Sequence, residues 1–265
     1  MVDMDKEKTK RLSMSFAVPP SPRSDDAVLG QGIGQEFQAA ILGGLEAVKQ
    51  NLRSKNASTR IAALRSALNY GQPGLELVLP YLNSPVEELQ QTAYELLKER
   101  QEPQVRFALQ YFSTQGINYT PLRKLLKVGK WAEADQLTRR LMARATQTPV
   151  EQMRGQQVKH LPQEDYQLID RVWCEESQQR FGFSVQRQIW QKACAWRWHR
   201  GEAWCVFGER VGWRTPSLLR EGQWKSYEEI LAQAHHAPRG CFPHLGPTFG
   251  IYTVEALMNF KPVGS

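Results

Sequence analysis

Tryptophan and arginine alternate over a short stretch of the C-terminal half, and together they suit a flat anionic ligand. The residues are Trp196, Trp198, Trp204, Trp213 and Trp224, interleaved with Arg197, Arg200, Arg210, Arg214 and Arg220. Indole rings stack on flat molecules, and guanidinium groups pair with acidic groups. The same rings could instead hold irregular loops together, because such loops lack regular apolar faces. The pattern by itself leaves both interpretations open.

Positive charge is concentrated in the same half of the chain. Residues 114–265 contain 21 Lys and Arg against 14 Asp and Glu, a difference of +7, whereas residues 1–113 contain 13 of each. An anionic partner would therefore meet the C-terminal half. Single-stranded nucleic acid would suit such a surface, but no nucleic-acid motif accompanies it, so we expect no nucleic-acid partner.

Sequence patterns that carry catalysis are missing. The chain contains no G-x-S-x-G, H-E-x-x-H or P-loop pattern, so we expect a ligand-binding or regulatory protein without catalytic residues. His235, His236, Cys241 and His244 have metal-ligating side chains, but their spacing fits no standard zinc site. We expect a polar loop there and no bound metal.

The sequence also indicates where the protein resides. No apolar run approaches the roughly 20 residues that a membrane span needs. The first ten residues carry Asp3, Asp5 and Glu7, whereas transit peptides are poor in acids and secretory signals need an apolar stretch. We therefore expect a cytoplasmic monomer with reduced cysteines and at most a peripheral membrane association.

Apolar spacing predicts an all-α chain in two helical parts behind a disordered tail. Residues 1–34 mix prolines, serines and charges, as disordered segments do. Residues 35–113 show the spacing of a small helical bundle or HEAT-like unit, and Ser84 with Glu87 predicts a capping box there. Residues 115–262 form the second helical domain.

The second part shows start and stop signals of its own. Thr120 is expected to cap a helix that ends at Gly129, and Ser184 is expected to cap a helix over residues 185–194. Beyond Ala195 the regular pattern fades, which predicts long ordered loops with one or two short helices.

Several motifs of this second part resemble the genomes uncoupled four family. They are residues 116–122 (GINYTPL), 131–139 (WAEADQLTR), 168–173 (LIDRVW), 180–190 (RFGFSVQRQIW), 207–213 (FGERVGW) and 237–240 (APRG). The RFGFSVQ-x-x-IW block is highly specific, and the order and spacing of the other motifs agree. The resemblance extends from about residue 115 to residue 260.

The resemblance implies both a fold and a function. It implies an all-helical domain whose long loops form an apolar groove that binds protoporphyrin IX or Mg-protoporphyrin IX. Members of the family stimulate magnesium chelatase at the first committed step of chlorophyll biosynthesis, so a chelatase subunit is the implied partner. Cyanobacterial members often carry an extra N-terminal helical bundle, as this chain does, which implies a cyanobacterial source.

Nine side chains are expected to contact the ligand, on the strength of this resemblance and of the aromatic, basic loops. Arg139 of the A-D-x-x-T-R motif is expected to pair with a ligand carboxylate. The nine residues are Arg139, Trp213, Trp224, Tyr227, Leu231, Arg239, Phe242, Phe249 and Tyr252. Cys241, Phe249 and Tyr252 stand where the family has His and basic residues. A diverged relative that binds another tetrapyrrole, or serves as a helical scaffold or signalling module, therefore remains an alternative.

Overall fold

The computed structural model describes residues 44–195, 199–216, 222–246 and 251–260, and the side chains of residues 251 and 252 are outside the description. The predicted tail, residues 1–34, lies outside these ranges. Within them every regular element is a helix, and strand pairing is limited to two isolated bridges. The all-α prediction is confirmed.

The N-terminal part is a small bundle of five short helices. They are α1 (44–52), α2 (Ala57–Ala67), α3 (Gly71–Val78), α4 (Glu87–Leu97) and α5 (Pro103–Leu109). Leu64, Leu75, Val78 and Leu97 are buried in its core. Because these apolar residues lie three or four positions apart within each helix, each helix turns a single face inward.

The described residues of the C-terminal part form eight α-helices around a larger core. They are α6 (Thr120–Lys127), α7 (Trp131–Ala145), α8 (Gly155–Val158), α9 (Gln163–Glu176), α10 (Phe183–Cys194), α11 (Arg200–Val211), α12 (Tyr227–Ala232) and α13 (Ile251–Met258). The core is rich in rings, among which Trp173 contacts Phe181 edge-on and stacks on Phe242. Such ring pairs add to the stabilisation that burial already provides.

Helix α11 corrects the prediction that regular structure fades after Ala195. It runs for 12 residues and buries Ala203, Phe207 and Val211 at intervals of four. Two glycines within the helix, both poor helix formers, obscured this spacing in the sequence. The loops on this side of the domain are therefore shorter than expected.

Three predicted helix caps are wrong. Helix α4 begins at Glu87 after Val86, with no side-chain cap, because Ser84 Oγ instead accepts the N–H of Val86 at 3.1 Å. Thr120 is itself the first residue of α6, and Asn118 Oδ1 accepts its N–H at 2.9 Å. Ser184 lies inside α10.

In each case a neighbouring acceptor determines the helix start. The N–H of Ser184, for example, donates to Asp170 Oδ1 of α9 at 2.9 Å, so a tertiary contact does the work expected of a local cap.

Residues 110–119 connect the two cores. Phe112 bridges Asn118 across a tight turn and stacks on Tyr94 of α4. Gly116 in this turn has a φ of 76°, and a Cβ there would lie 2.8 Å from the Tyr94 ring. Only glycine combines that backbone with so close an approach. The turn thus fastens the two parts to each other.

We predict that the C-terminal domain folds alone, and that its stability depends on where it begins. Tyr111 lies under Arg123 and Arg171, and its carbonyl accepts the N–H of Tyr119 at 2.8 Å. A fragment of residues 110–265 should therefore melt several degrees above one of residues 114–265, since each kcal/mol shifts the melting temperature by roughly 2–4 °C in a domain of this size. Circular dichroism should show both to be helical. Unfolded fragments would mean that the N-terminal bundle is part of one folding unit.

Candidate functional site

Asp135 and Arg139 lie one turn apart on α7 and share a face of that helix. The Asp135 side chain is fully buried, with 0% of its surface exposed, whereas Arg139 is half-buried. A buried carboxylate needs hydrogen-bond donors around it. Asp135 obtains all of them from segments about one hundred residues further along the chain.

Three donors reach Asp135. The Tyr227 hydroxyl, at the start of α12, donates to Asp135 Oδ2 at 2.7 Å. The backbone N–H of His244 donates to Oδ1 at 2.6 Å, and that of Leu245 lies 3.0 Å from both oxygens. One carboxylate thus fixes α12 and the turn of residues 242–246 to α7.

The turn of residues 242–246 adopts backbone angles that favour glycine. Leu245 and Gly246 have φ values of 68° and 84°. A Cβ on Gly246 would lie 2.6 Å from Arg139 Nη1 and 3.7 Å from the Tyr227 ring. The positive φ favours glycine at position 246, and the missing Cβ lets the backbone lie directly against Arg139 and Tyr227.

Burial dominates the electrostatics of Asp135. It raises the pKa of this carboxyl to about 6, against the opposing effects of the Tyr227 hydroxyl, the Leu245 and His244 N–H groups, and the nearby Arg139 charge. Burial, and then Asp135 itself, raises the pKa of Tyr227, which stays a neutral donor.

His244 is a neutral imidazole near neutral pH, because burial lowers its pKa to about 4. Its ring stacks on Tyr227, with centroids 5.3 Å apart, and meets Trp213 edge-on at 4.6 Å. Its Nδ1 is buried without a hydrogen-bond partner among the described residues. The histidine thus links the site to the aromatic core.

A cavity of about 300 Å³ opens beside this cluster. Its walls are Gln136, Arg139, Arg140, Val150, Glu151 and Tyr227. The cavity therefore offers two adjacent guanidinium groups, one aromatic ring and one aliphatic side chain. Its volume lies at the lower end of the range for ligand pockets.

A larger cavity, of about 700 Å³, lies elsewhere on the same domain, between α8, α11 and α13. Its walls are Arg154, Gly155, Gln156, Gln157, Lys159, Arg200, Glu255, Ala256 and Asn259. Arg200 and Glu255 form an ion pair within it. Among its described lining residues there is no aromatic ring, whereas charges of both signs are present.

The structure brings two of the expected ligand residues, Arg139 and Tyr227, to one cavity. Trp213 and Phe242 are 3% and 0% exposed, and the Trp213 N–H donates to the Cys241 carbonyl at 2.8 Å. Their rings belong to the core. Leu231 is half-buried against the same core.

The remaining expected residues lie away from the cavity or outside the description. Trp224 is 44% exposed and stacks on Trp204. Arg239 is exposed and donates to Gln188 Oε1 at 2.9 Å. Phe249 and the Tyr252 side chain, like Trp196, Arg197, Trp198 and Arg220, lie outside the described residues.

The alternating Trp and Arg residues that are described contribute to packing. Trp204 contacts Trp190, Phe207, Trp213 and Trp224, which makes it the centre of a ring cluster. Arg214 pairs with Glu209 of α11. In this part of the stretch, the rings therefore hold α11 and the following loop together.

In the described part of the chain, no three His, Cys, Asp or Glu side chains gather as a metal site would require. His235 and His236 are exposed, whereas Cys241 is buried. No helix in the same ranges has the length and apolar character to cross a membrane.

Sequence reasoning missed Asp135 and His244. Asp135 lies inside the A-D-x-x-T-R motif, four positions before Arg139, and that spacing was the available signal. Nothing local in the sequence marks His244, because its role depends on contacts with α7 and α12.

A family comparison covers the C-terminal domain. Residues 112–261, more than half of the chain, match the GUN4-like family model. The chain is 25% identical over 240 residues to the Ycf53-like protein of Synechocystis sp., covering 83% of this chain and 97% of that protein.

Two other relatives match over shorter regions. An uncharacterized ycf53 protein of Pyropia yezoensis is 30% identical over 156 residues, which cover 56% of this chain and 59% of the algal protein. The chloroplastic tetrapyrrole-binding protein of Arabidopsis thaliana is 42% identical over 64 residues, 23% of this chain and 24% of that protein. The matches thus span less than two thirds of both proteins.

Two solved structures resemble the chain. GUN4 from Chlamydomonas reinhardtii has a TM-score of 0.44 at 26% identity, covering 62% of this chain and 97% of that one. The ligand-free structure of Arabidopsis thaliana GUN4 has a TM-score of 0.41 at 24% identity, covering 53% and 91%.

We predict that His244 makes the protein less stable in acid. The unfolded chain protonates this residue near pH 6.5, whereas the folded protein does so only near pH 4. Acidification between these values therefore favours unfolding, by at most about 3 kcal/mol. His244→Phe retains a ring between Tyr227 and Trp213 but cannot titrate. Urea unfolding from pH 7 to pH 4 should show wild type losing stability relative to this variant.

Asp135 acts in the opposite direction in nearly the same range, because the pKa of its carboxyl is raised in the folded protein. Stability from this group is present in acid and is lost as the pH rises through about 6. Because wild type and His244→Phe both contain Asp135, its contribution largely cancels when their free energies of unfolding are compared. Parallel pH profiles for the two proteins would contradict the prediction.

Proposed function

Because this chain belongs to the GUN4-like family, we propose that it binds a tetrapyrrole and acts as a regulatory protein rather than as an enzyme. The name of the Arabidopsis relative, a tetrapyrrole-binding protein, supports the ligand class. The observation that carries the proposal is the meeting of Arg139, Arg140 and Tyr227 on one cavity. These residues offer cations and a ring to a flat dicarboxylic molecule.

Protoporphyrin IX and Mg-protoporphyrin IX have the matching chemistry. Each presents a flat apolar face and two propionates on one edge. Arg139 and Arg140 would pair with the propionates, while Tyr227 and Val150 would contact the ring system. Glu151 at the same wall would repel a tetrapyrrole with acidic groups around its whole edge, and this favours the dicarboxylic members.

The small volume of the cavity suits delivery of the ligand. A pocket of about 300 Å³ can hold the propionate edge while part of the macrocycle stays uncovered. A second protein could then reach the ligand without displacing the arginines. Among the described residues that line the larger cavity, no aromatic ring is available to stack on an apolar face.

The finer proposal is that this delivery activates magnesium chelatase in chlorophyll biosynthesis. Its support is the family membership, together with the partial exposure that the cavity allows. The proposal makes a chelatase subunit the protein partner, with the chain acting as a monomer in the cytoplasm, and it assigns no bond-making step to the residues of the site.

A helical scaffold that binds no tetrapyrrole is the second candidate. One observation favours it: the rings of Trp213 and Phe242, expected at the ligand, are committed to the core. The two candidates make different predictions for porphyrin binding.

We predict that Arg139→Ala weakens protoporphyrin IX binding several-fold, because a partly solvated ion pair contributes up to about 1 kcal/mol. Quenching of tryptophan fluorescence during a porphyrin titration measures the affinity. The melting temperature should stay nearly constant, since Arg139 is half-buried at the cavity wall.

The matched control is Arg210→Ala, which removes an exposed arginine of α11 outside the cavity. This variant should bind like wild type. If both substitutions weaken porphyrin binding equally, the arginines act only through general electrostatic attraction. If the wild type binds no porphyrin, the helical scaffold is the favoured function.

We also predict a weak dependence of the affinity on salt. Arg140 is exposed and Arg139 half-buried, so each ion pair with the ligand contributes at most about 1 kcal/mol that salt could remove. Raising the sodium chloride concentration from about 0.05 M to about 0.5 M should therefore weaken porphyrin binding less than about tenfold. A steeper loss would indicate that further arginines contact the ligand, with Arg197, Arg200 and Arg239 as candidates.

A further inference from the structure

We propose that Asp135 is a positioning residue of the ligand site, and that loss of its carboxylate oxygens releases Tyr227 and the turn of residues 242–246 and thereby weakens ligand binding. The inference rests on the proposed function for its ligand, but its structural half concerns the free protein. Asp135 itself does not line the cavity. It acts through the residues that it holds.

The geometry makes Asp135 the common anchor of two separate segments. Tyr227 lies 92 positions further along the chain, and Leu245 lies 110 positions further. Both are held by the same carboxylate, whose oxygens are within 3.0 Å of each donor. Tyr227 lines the cavity, and Gly246 lies against Arg139. A change at Asp135 therefore reaches the ring and the cation that face the ligand.

The ionised carboxylate is the form that suits this arrangement. It accepts one O–H and two N–H bonds, and bonds to a charged acceptor are roughly twice as strong as neutral ones. Asparagine offers one acceptor oxygen in place of two, and its NH2 group faces a donor that the second oxygen accepted. Asp135→Asn therefore loses at least one of the three bonds and leaves a buried donor unpaired.

The groups around Asp135 come from every element that packs against it. Arg139 of α7 lowers the pKa of the carboxyl, as do the Tyr227 hydroxyl and the two backbone N–H groups of the turn. His244 of the turn stays neutral above about pH 4, and the pKa of the buried Cys241 thiol is raised to about 12. Between these values Asp135 is the member of the cluster that changes charge near neutral pH.

Asp165 provides a matched control within the same domain. It is also fully buried, its Oδ1 accepts the Tyr119 hydroxyl at 2.6 Å, and burial raises the pKa of its carboxyl. It lies at the junction of the two cores, beside the turn of residues 110–119, and outside the wall of the cavity. Asp165→Asn therefore perturbs a buried Tyr–Asp pair without touching the proposed site.

The free protein is tested by amide NMR. In ¹⁵N-labelled wild type, the N–H signals of His244 and Leu245 should shift together between pH 5 and pH 8, with a midpoint near 6, roughly the pKa of the carboxyl they contact. This inflection should vanish in Asp135→Asn and persist in Asp165→Asn. Wild-type amides that do not shift in this range would overturn the inference without any variant having to fold.

The bound state is tested by titrating deuteroporphyrin IX, a dicarboxylic porphyrin, over the same pH range. Wild type should bind roughly 5- to 20-fold more tightly than Asp135→Asn, because the variant no longer holds Tyr227 at the cavity wall. The ratio of the two proteins cancels the titration of the ligand's own propionates. Asp165→Asn should follow wild type.

The possible results separate the two proposals. Equal affinity of wild type and Asp135→Asn would overturn the positioning role while leaving tetrapyrrole binding intact. An absence of porphyrin binding at any pH would defeat the proposed function. In that case the amide titration alone decides whether the Asp135 carboxylate holds the turn.

Discussion

The arrangement of the C-terminal domain depends on one buried carboxylate. Asp135 has no exposed surface, and its two oxygens accept bonds from α12 and from the turn that follows it. Burying a charge is costly unless it is paired and hydrogen-bonded, so these contacts must form together or not at all. Their joint formation sets where Tyr227 and Gly246 stand relative to Arg139. The position of the cavity wall thus follows from the hydrogen bonds that this buried carboxylate requires.

The sequence supported the fold well where apolar spacing was regular. The N-terminal helices, and α6, α7, α9 and α10, follow from that spacing, because a helix with one apolar face must bury it. The sequence was less informative where tertiary contacts replaced local signals. Asn118 and Asp170 provide acceptors that the expected caps at Thr120 and Ser184 do not, and the two glycines of α11 hide a 12-residue helix.

The candidate site was predictable only in part, for the same reason. Arg139 and Tyr227 were found through a motif and a turn, both of which are local in sequence. Asp135 acts through partners 92 to 110 positions away, and His244 is one of those partners, so no local pattern carries that information. Conversely, Trp213 and Phe242 looked like ligand residues because rings serve both packing and stacking, and burial alone separates the two roles.

The close approach of Gly246 to Arg139 also bears on how much order a ligand must impose. A free arginine side chain gives up about 2 kcal/mol of rotational freedom when it is fixed in one geometry. Here the backbone of Gly246 occupies the space next to the guanidinium, at the position where a Cβ would lie 2.6 Å from Nη1. The backbone excludes the arginine rotamers that would overlap it, so the guanidinium has fewer orientations left in the empty protein. A carboxylate that arrives at the cavity therefore has less ordering of Arg139 to impose.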